Sequence, residues 1–429
     1  METRNYQTII VGSGAGGATL ARELSKRGRP VLVLERGKVE QSVGTFADCT
    51  RYYDANALKI PKKSKEGVIL WRTFMAGGAT MAAMGNITRC LENELAAFGL
   101  ELGEELAEAE NDMAVSPLPD GRISAGGLRL REAARLLGHN FQNMTKCIDA
   151  ERCASCGHCS LGCARGARWS ALAYLQEAEQ LGAKVLYQAR VRRVVQENGR
   201  ASSVQVDLAS GPAELHAETV ILAAGGLGTP VILQNSGIPQ AGDGLFVDLL
   251  VNTYGVAEDF DIMNEPQMAQ ADLEYHPERG FMLATQINHP REVRLIELGP
   301  AGYAMPTHRL AGLMTKIVDE PAGKVYADGS VSKPVTDADW QKLKAGMQIS
   351  KEILIKAGVP SKSIRHSVPQ GAHPGGTAAI GRVVDEHLMT GVKNLYVCDA
   401  SVLPNAPGLP PILILVALAK HLAKQLTIH

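Results

Sequence analysis

An α/β fold, with apolar strands followed by helices, is what three stretches of this 429-residue sequence predict. Each is a run of strand-forming apolar residues, then a turn of small residues or prolines, then a segment with helical apolar spacing. They are "TIIVGSGAGGATLARELSKRGRPVLVLERG" at 8–37, "ETVILAAGGLGTPVILQNSGI" at 218–238 and "NLYVCDASVLPNAPGLPPILILVALAKHLA" at 394–423.

Length and composition set the frame. At 429 residues the chain exceeds one simple core, so two interleaved or sequential domains are expected. A content of 45% hydrophobic and 21% charged residues is that of a globular protein. A net charge of −1 leaves no electrostatic footprint for nucleic acid or an anionic membrane. The N-terminus enters a short apolar strand without the basic and long apolar regions of a secretory signal. The longest apolar run, "ILILVALA" at 412–419, is too short to span a bilayer and reads as a buried helix. A cytoplasmic location is the expectation, and a reducing compartment disfavours structural disulfides.

In the first stretch, residues 8–11 suit a buried parallel strand. Gly12, Ser13, Gly14 and Gly17 then form a G-x-G-x-x-G turn. A helix follows with Ala18, Leu20, Ala21 and Leu24 on its apolar side, broken at Gly28 and Pro30, and the strand "VLVLE" ends on Glu35. The first glycine makes the tight turn, the second lets backbone approach a pyrophosphate, and the third lets helix pack on strand. The helix N-terminus offers free N–H groups and a partial positive charge to phosphates. Glu35 is placed to accept hydrogen bonds from an adenosine ribose. A dinucleotide site follows, and this motif alone leaves NAD and FAD open.

Three further segments bear on that choice: "GGATMAAMGNITR" at 77–89 and the two later strand–turn–helix stretches quoted above. With the N-terminal fingerprint they resemble the glucose–methanol–choline family of FAD oxidoreductases. "ARWSALAYL" (167–175), "ARVRRVV" (189–195) and "AHPGGTAAIG" (372–381) extend the resemblance, in the family's order, over about half the chain. It implies a Rossmann-like FAD-binding domain built from discontinuous segments, 1–242 and 366–429, with a smaller α+β substrate domain at 243–365. It also implies that Gly12, Ser13, Gly14 and Gly17 line the pyrophosphate and Glu35 the ribose, with Gly77 and Gly78 near the flavin. Val191 falls at the adenine end. Asp399 meets the ribityl-pyrophosphate part, and the helix after Pro411 points its N-terminus at the isoalloxazine. The length is short for the family, which implies a reduced substrate domain and lid.

The family oxidises an alcohol by passing hydride to the flavin while a base takes the hydroxyl proton. Histidine suits that task because its pKa lies near working pH. The matching stretch is His373-Pro374-Gly375-Gly376-Thr377, which makes His373 the expected base; the alternative is a histidine that merely satisfies a turn. The family's second polar residue falls at Pro410, whose side chain has no donor. Either Asn405 substitutes, or His373 acts alone, or the chemistry has changed.

Half of the eight cysteines crowd into "CASCGHCSLGC" at 153–163. Cys153, Cys156, Cys159 and Cys163 have the C-x2-C-x2-C-x3-C spacing of bacterial ferredoxins. An iron–sulfur cluster in the loop 147–166 is the expectation, of 4Fe-4S or 3Fe-4S type, with Cys147 and His158 as alternative ligands. Zinc favours two C-x2-C pairs set a dozen or more residues apart, and a redox disulfide needs only two cysteines. Some bacterial members of the resembled family carry such a cluster in this part of the chain.

The functional expectation is thus an FAD- and iron–sulfur-dependent dehydrogenase acting on the CH–OH group of a small alcohol, polyol or sugar. Electrons would leave singly to a carrier protein such as a ferredoxin or a cytochrome, with oxygen not the acceptor. Two alternatives stay open. One is a ferredoxin-fed flavin reductase of a carbonyl or an activated C=C bond; the other is a non-catalytic electron-transfer flavoprotein subunit.

Overall fold

A computed structural model describes residues 5–56, 61–288 and 290–427. Strand β1 (Asn5–Val11), helix α1 (Ala15–Lys26) and strand β2 (Val31–Leu34) follow one another as the hydrophobic pattern requires. β2 is buried along its whole length, as a strand covered on both faces must be. Helix α2 (Ala171–Gln180) packs on α1 and leads into β3 (Lys184–Leu186), which pairs parallel with the outer side of β2. On the other side of β1 stands the end of β6 (Gly211–Leu222), the last of three antiparallel strands after β4 (Arg190–Glu197) and β5 (Arg200–Leu208). The order is β3-β2-β1-β6-β5-β4, and the short strand Leu395–Val397 joins β6 in parallel. Residues some 170 positions apart thus share one sheet, because β6 and Leu395–Val397 each bring an apolar run that only a covered sheet accommodates.

A second sheet of eight strands is mostly antiparallel. Its centre is β7 (Leu249–Val256), β8 (Phe281–Thr285) and β9 (Leu310–Ile317), in the order β7-β9-β8. Short pieces at 69–70, 142–143 and 370–371 extend it, so the chain passes back and forth between the two sheets. The period of two decides what each face does. Val251, Leu283, Leu313 and Ile317 join a core under helix α4 (Asp337–Lys356), whereas Leu250, Met282, Ala284 and Met314 join the core of the first sheet. Helix α3 (Arg291–Leu298) borders the same side as this second face. The last helix, α5 (Ile412–Gln425), is buried through Leu413, Ile414, Val416 to Lys420, Leu422 and Ala423 and packs on α1. No helix among the described residues is long and apolar enough to cross a membrane.

Candidate active site

A cavity of about 770 Å³ runs between the two sheets. One end is the turn after β1. Gly12 sits there at φ +102°, where a Cβ would stand 2.4 Å from the Ala223 carbonyl oxygen. Gly12, Ser13 and Gly14 line the cavity, and Gly17 does not. Gly17 packs: a Cβ on it would come within 2.0 Å of the Gly12 oxygen. Gly16, an unassigned position in the fingerprint, is equally constrained, since its Cβ would meet the Cys398 oxygen at 2.0 Å. Gly14 supplies no side-chain cap to α1, so the first N–H groups of that helix are left for a ligand.

Glu35 lines the cavity, but its carboxylate is already engaged. Ser13 donates to Oε2 from its N–H (3.0 Å) and its hydroxyl (2.6 Å), and the Gly37 N–H donates to Oε1 at 2.6 Å. Burial raises the Glu35 pKa against those bonds. Its first duty is therefore to hold the glycine turn. Gly78 lines the cavity, whereas Gly77 lies behind it and donates its N–H to Ser13 Oγ at 3.2 Å. Val191 borders the same end. Asp399 also reaches the cavity, and its Oδ2 accepts the Gly225 N–H (2.8 Å) and the Thr229 hydroxyl (2.5 Å), fixing the turn after β6. Pro410, Pro411 and Ile412 bring the N-terminus of α5 to the wall, again without a side-chain cap.

The other end holds His373. Its N–H donates to the Val247 oxygen at 2.9 Å, which sets the ring beside the next residue, Asp248. His373 Nδ1 and Asp248 Oδ2 are 2.8 Å apart. Asp248 is fully buried, and its Oδ1 accepts the Gly408 N–H at 2.9 Å. A carboxylate there makes Nδ1 the protonated nitrogen and leaves the Nε2 lone pair free. Burial pushes the His373 imidazole below the usual histidine range; the nearby Lys316 charge adds to this, and Asp248 opposes both. The ring is thus a neutral acceptor at neutral pH. Asn405 does not serve this site: it is exposed and stands outside the cavity wall. The polar partner of His373 is Asp248, far from it in sequence.

The second sheet presents polar side chains to the same cavity. Glu297 on α3 accepts from Tyr254 Oη (2.7 Å), Asn288 Nδ2 (2.8 Å), Gln370 Nε2 (3.0 Å) and Asn252 Nδ2 (3.1 Å). Burial nevertheless raises its pKa. With the amide nitrogens so committed, Asn252 Oδ1 is left buried at the cavity without a partner among the described residues, as is Gln286 Oε1.

Family models agree with this geometry. The GMC oxidoreductase N-terminal model matches residues 48–253, the GMC oxidoreductase C-terminal model matches 332–419, and an NAD(P)-binding Rossmann-like domain matches 10–39. The chain belongs to the GMC oxidoreductase family. It is an FAD-dependent oxidoreductase of the class acting on CH–OH donors. An uncharacterized protein of Methanocaldococcus jannaschii is 29% identical over 98% of this chain and 100% of its own length. An uncharacterized GMC-type oxidoreductase of Mycobacterium tuberculosis is 27% identical over 97% of this chain and 75% of its own. A long-chain-alcohol oxidase of Arabidopsis thaliana is 23% identical over 98% and 68%. The crystal structure of pyridoxine 4-oxidase from Mesorbium loti shares the fold, with a TM-score of 0.75 over 99% of this chain and 100% of that one at 18% identity.

FAD fits the cavity of this GMC oxidoreductase. Two uncapped helix N-termini, the close backbone packing at Gly12 and Gly16, and a space of about 770 Å³ lined by both Val191 and His373 provide for phosphates and an extended dinucleotide. The cysteine segment is a different case. It lies against the cavity, since Ser160 and Leu161 line it, and Tyr52 Oη and Tyr53 Oη tie the Leu161 and Ser160 oxygens at 2.5 and 2.6 Å. Among the described residues, however, no three His, Cys, Asp or Glu side chains stand close enough to hold a metal ion. Cys156 is exposed, and Cys153, Cys159 and Cys163 are partly so. The four thiols as placed do not form an iron–sulfur cage.

Proposed function

We propose that this GMC oxidoreductase oxidises the CH–OH group of a small polar alcohol, polyol or sugar with His373 as base. The observation that carries it is the 2.8 Å pairing of His373 Nδ1 with the buried Asp248 carboxylate, at the end of a cavity fit for a flavin. FAD bound along that cavity supplies the hydride acceptor. Gly12, Ser13, Gly14 and the N-terminus of α1 are assigned to its pyrophosphate, Val191 to the adenine end, and Gly78, Asp399 and the N-terminus of α5 to the ribityl and ring portion. His373 Nε2 takes the hydroxyl proton. Asp248 keeps the proton on Nδ1 and steadies the imidazolium once it forms.

The substrate class follows from the wall. Asn252 Oδ1 and Gln286 Oε1 are buried acceptors in want of donors, and leaving them unpaired costs roughly 1–3 kcal/mol each. Additional hydroxyls of a polyol or sugar satisfy them; an alkyl chain does not. The test is anaerobic flavin reduction by a panel that sets glycerol, ribitol and glucose against 1-octanol. Octanol as the fastest reductant would overturn the assignment, as would a His373→Asn variant that reduces its flavin at the wild-type rate.

For the acceptor, the cysteine spacing supports an iron–sulfur cluster at 153–163 and a one-electron carrier such as a ferredoxin or a cytochrome, and the position of that segment against the cavity wall is consistent with both. Iron, sulfide and flavin counted per chain after anaerobic purification decide it. Stoichiometric flavin with no iron removes the cluster and, with it, the reason for such a carrier.

A further inference from the structure

Three lysines among the described residues are fully buried, and two of them are satisfied. Lys146 donates to Asn86 Oδ1 and to the Met84 and Gln267 oxygens. Lys333 donates to the Glu320 and Pro334 oxygens at 3.0 and 3.1 Å and pairs with Asp319 at 3.0 Å. Lys316 has no hydrogen-bond partner for its Nζ among the described residues. Its nearest acidic oxygen, Asp248 Oδ2, is 3.7 Å away, within ion-pair range and beyond a hydrogen bond. A buried amine without acceptors is costly, so an acceptor is expected from something not part of the chain.

The fold says where that acceptor lies. Lys316 is on β9, opposite Leu250 of β7 and Met282 of β8 and two residues from Met314, on the sheet face that joins the core of the first sheet. It lines the same cavity as His373 and Pro410. It also shares a carboxylate oxygen with His373, since Asp248 Oδ2 is 2.8 Å from Nδ1 and 3.7 Å from Nζ. Two side chains beside one carboxylate oxygen, both lining one cavity, are able to meet a single substrate atom.

We propose that Lys316 is a catalytic residue whose Nζ holds the oxygen of the reacting alcohol, in place of the donor that Pro410 lacks. The proposal rests on His373 being the base. The hydroxyl proton would pass to His373 Nε2 and the oxygen, on becoming a carbonyl, would stay on the Lys316 N–H, with FAD, when bound, supplying the hydride acceptor. A fixed donor aimed at developing negative charge in a site closed to water is worth about 10²–10³ in rate. The groups that face Lys316 are Asp248, Asp319, Cys90, His276 and His373. Burial opposes its charged form, and of these groups Asp248, Cys90 and Asp319 favour it. As an ammonium it holds down the pKa of His373, which keeps the base neutral.

The test compares flavin-loaded wild type with Lys316→Met, Lys316→Gln and His373→Asn. One readout needs no turnover: 2,2,2-trifluoroethanol, an alcohol that resists hydride loss, is titrated while the flavin absorbance is followed. Wild type should bind it, Lys316→Met should bind at least tenfold more weakly, and Lys316→Gln, which keeps a donor, should fall between. Flavin content should be equal in all of them. A second readout is the pH dependence of flavin reduction by the best polyol of the panel. Wild type should slow at alkaline pH as Lys316 loses its proton. Lys316→Met should lose that limb, move the acid limb to higher pH, and run about a hundredfold slower. Wild-type affinity and pH profile in Lys316→Met, with His373→Asn inactive, overturn the proposal and leave the base assignment standing. An active His373→Asn overturns both, and wild type blind to trifluoroethanol overturns the assignment of Lys316 alone. If Lys316→Met does not fold, Lys316→Gln decides, and wild-type binding and profile in that variant count against the proposal.

Discussion

Replacing Asp248 with asparagine separates the chemistry of this carboxylate from its shape. The backbone at Asp248 is left-handed, at φ +51°, a conformation asparagine adopts readily. The neighbours then dictate which way the new amide points. The Gly408 N–H is a fixed donor 2.9 Å from Oδ1, so the amide oxygen must face it. The amide nitrogen is left facing His373 Nδ1, 2.8 Å away, and brings a donor where an acceptor stood. His373 responds by moving its proton to Nε2. The lone pair then points at the amide, and an N–H points into the cavity. A ring in that tautomer cannot take the hydroxyl proton. A wrong tautomer in an Asp–His pair costs roughly 10⁴ in kcat, and the loss of Lys316's ion-pair partner adds to it. The expected outcome is a fall of about 10³–10⁴-fold in the rate of anaerobic flavin reduction, followed at the flavin absorbance by stopped flow. Flavin content should change little, because every steric contact and the Gly408 bond survive, whereas the unfolding midpoint should fall, since the buried Lys316 loses the carboxylate it pairs with. Asp248→Asn within tenfold of wild type would refute the base assignment and the tautomer argument together.

Other perturbations discriminate among the remaining assignments. Gly16→Ala drives a methyl group to 2.0 Å from the Cys398 oxygen; the expected result is loss of bound flavin and destabilisation by at least about 1–3 kcal/mol, read by flavin release and chemical denaturation. Glu35→Gln removes an acceptor for a buried N–H or hydroxyl in the Ser13–Gly37 network; about 1–3 kcal/mol of stability should go, with flavin affinity falling in parallel. Asn405→Ala should leave flavin reduction unchanged, since the side chain is exposed and off the cavity wall. His373 has a folded pKa below its unfolded value, so the unfolded state takes up the proton first as pH falls. Its contribution to stability is present above pH ~6.5 and is lost below it, and His373→Asn should flatten that part of the Tm-against-pH curve.

What could be read from the sequence was local. The strand, glycine turn, helix and second strand of residues 8–35 are consecutive, and their spacing alone assembles one end of the cavity. Glu35 illustrates the limit: its position was legible, yet its binding of Ser13 and Gly37 depends on how β2 ends beside the turn. Gly16 falls at an unspecified position of the fingerprint, and the residue that constrains it, Cys398, comes from the far end of the chain. Asn405, one of three alternatives for the missing donor, stands near Pro410 in sequence, but the turn through Gly408, at φ +61°, carries it to the surface. The partner of His373 comes instead from the start of β7.

A signal for the missing residues was nevertheless present. "GLFVDLLV" at 244–251 and "LAGLMTKI" at 310–317 are apolar runs interrupted by a single charge, Asp248 in one and Lys316 in the other. A charge placed in a strand that must be buried is expensive unless something pairs with it. Two such interruptions of opposite sign in a chain with a strand-rich middle suggest pairing across a sheet, and the fold brings them to 3.7 Å with His373 on the same carboxylate. The cysteine run shows the reverse. Its spacing is the more conspicuous feature, yet spacing constrains only which thiols are able to converge, and convergence depends on an inorganic core whose bonds hold them together. Buried opposite charges with no solvent to relax them must be brought together by the fold. Thiols at a partly exposed loop are under no such obligation, so a conspicuous motif can leave its geometry open while two isolated charges in apolar strands define a site.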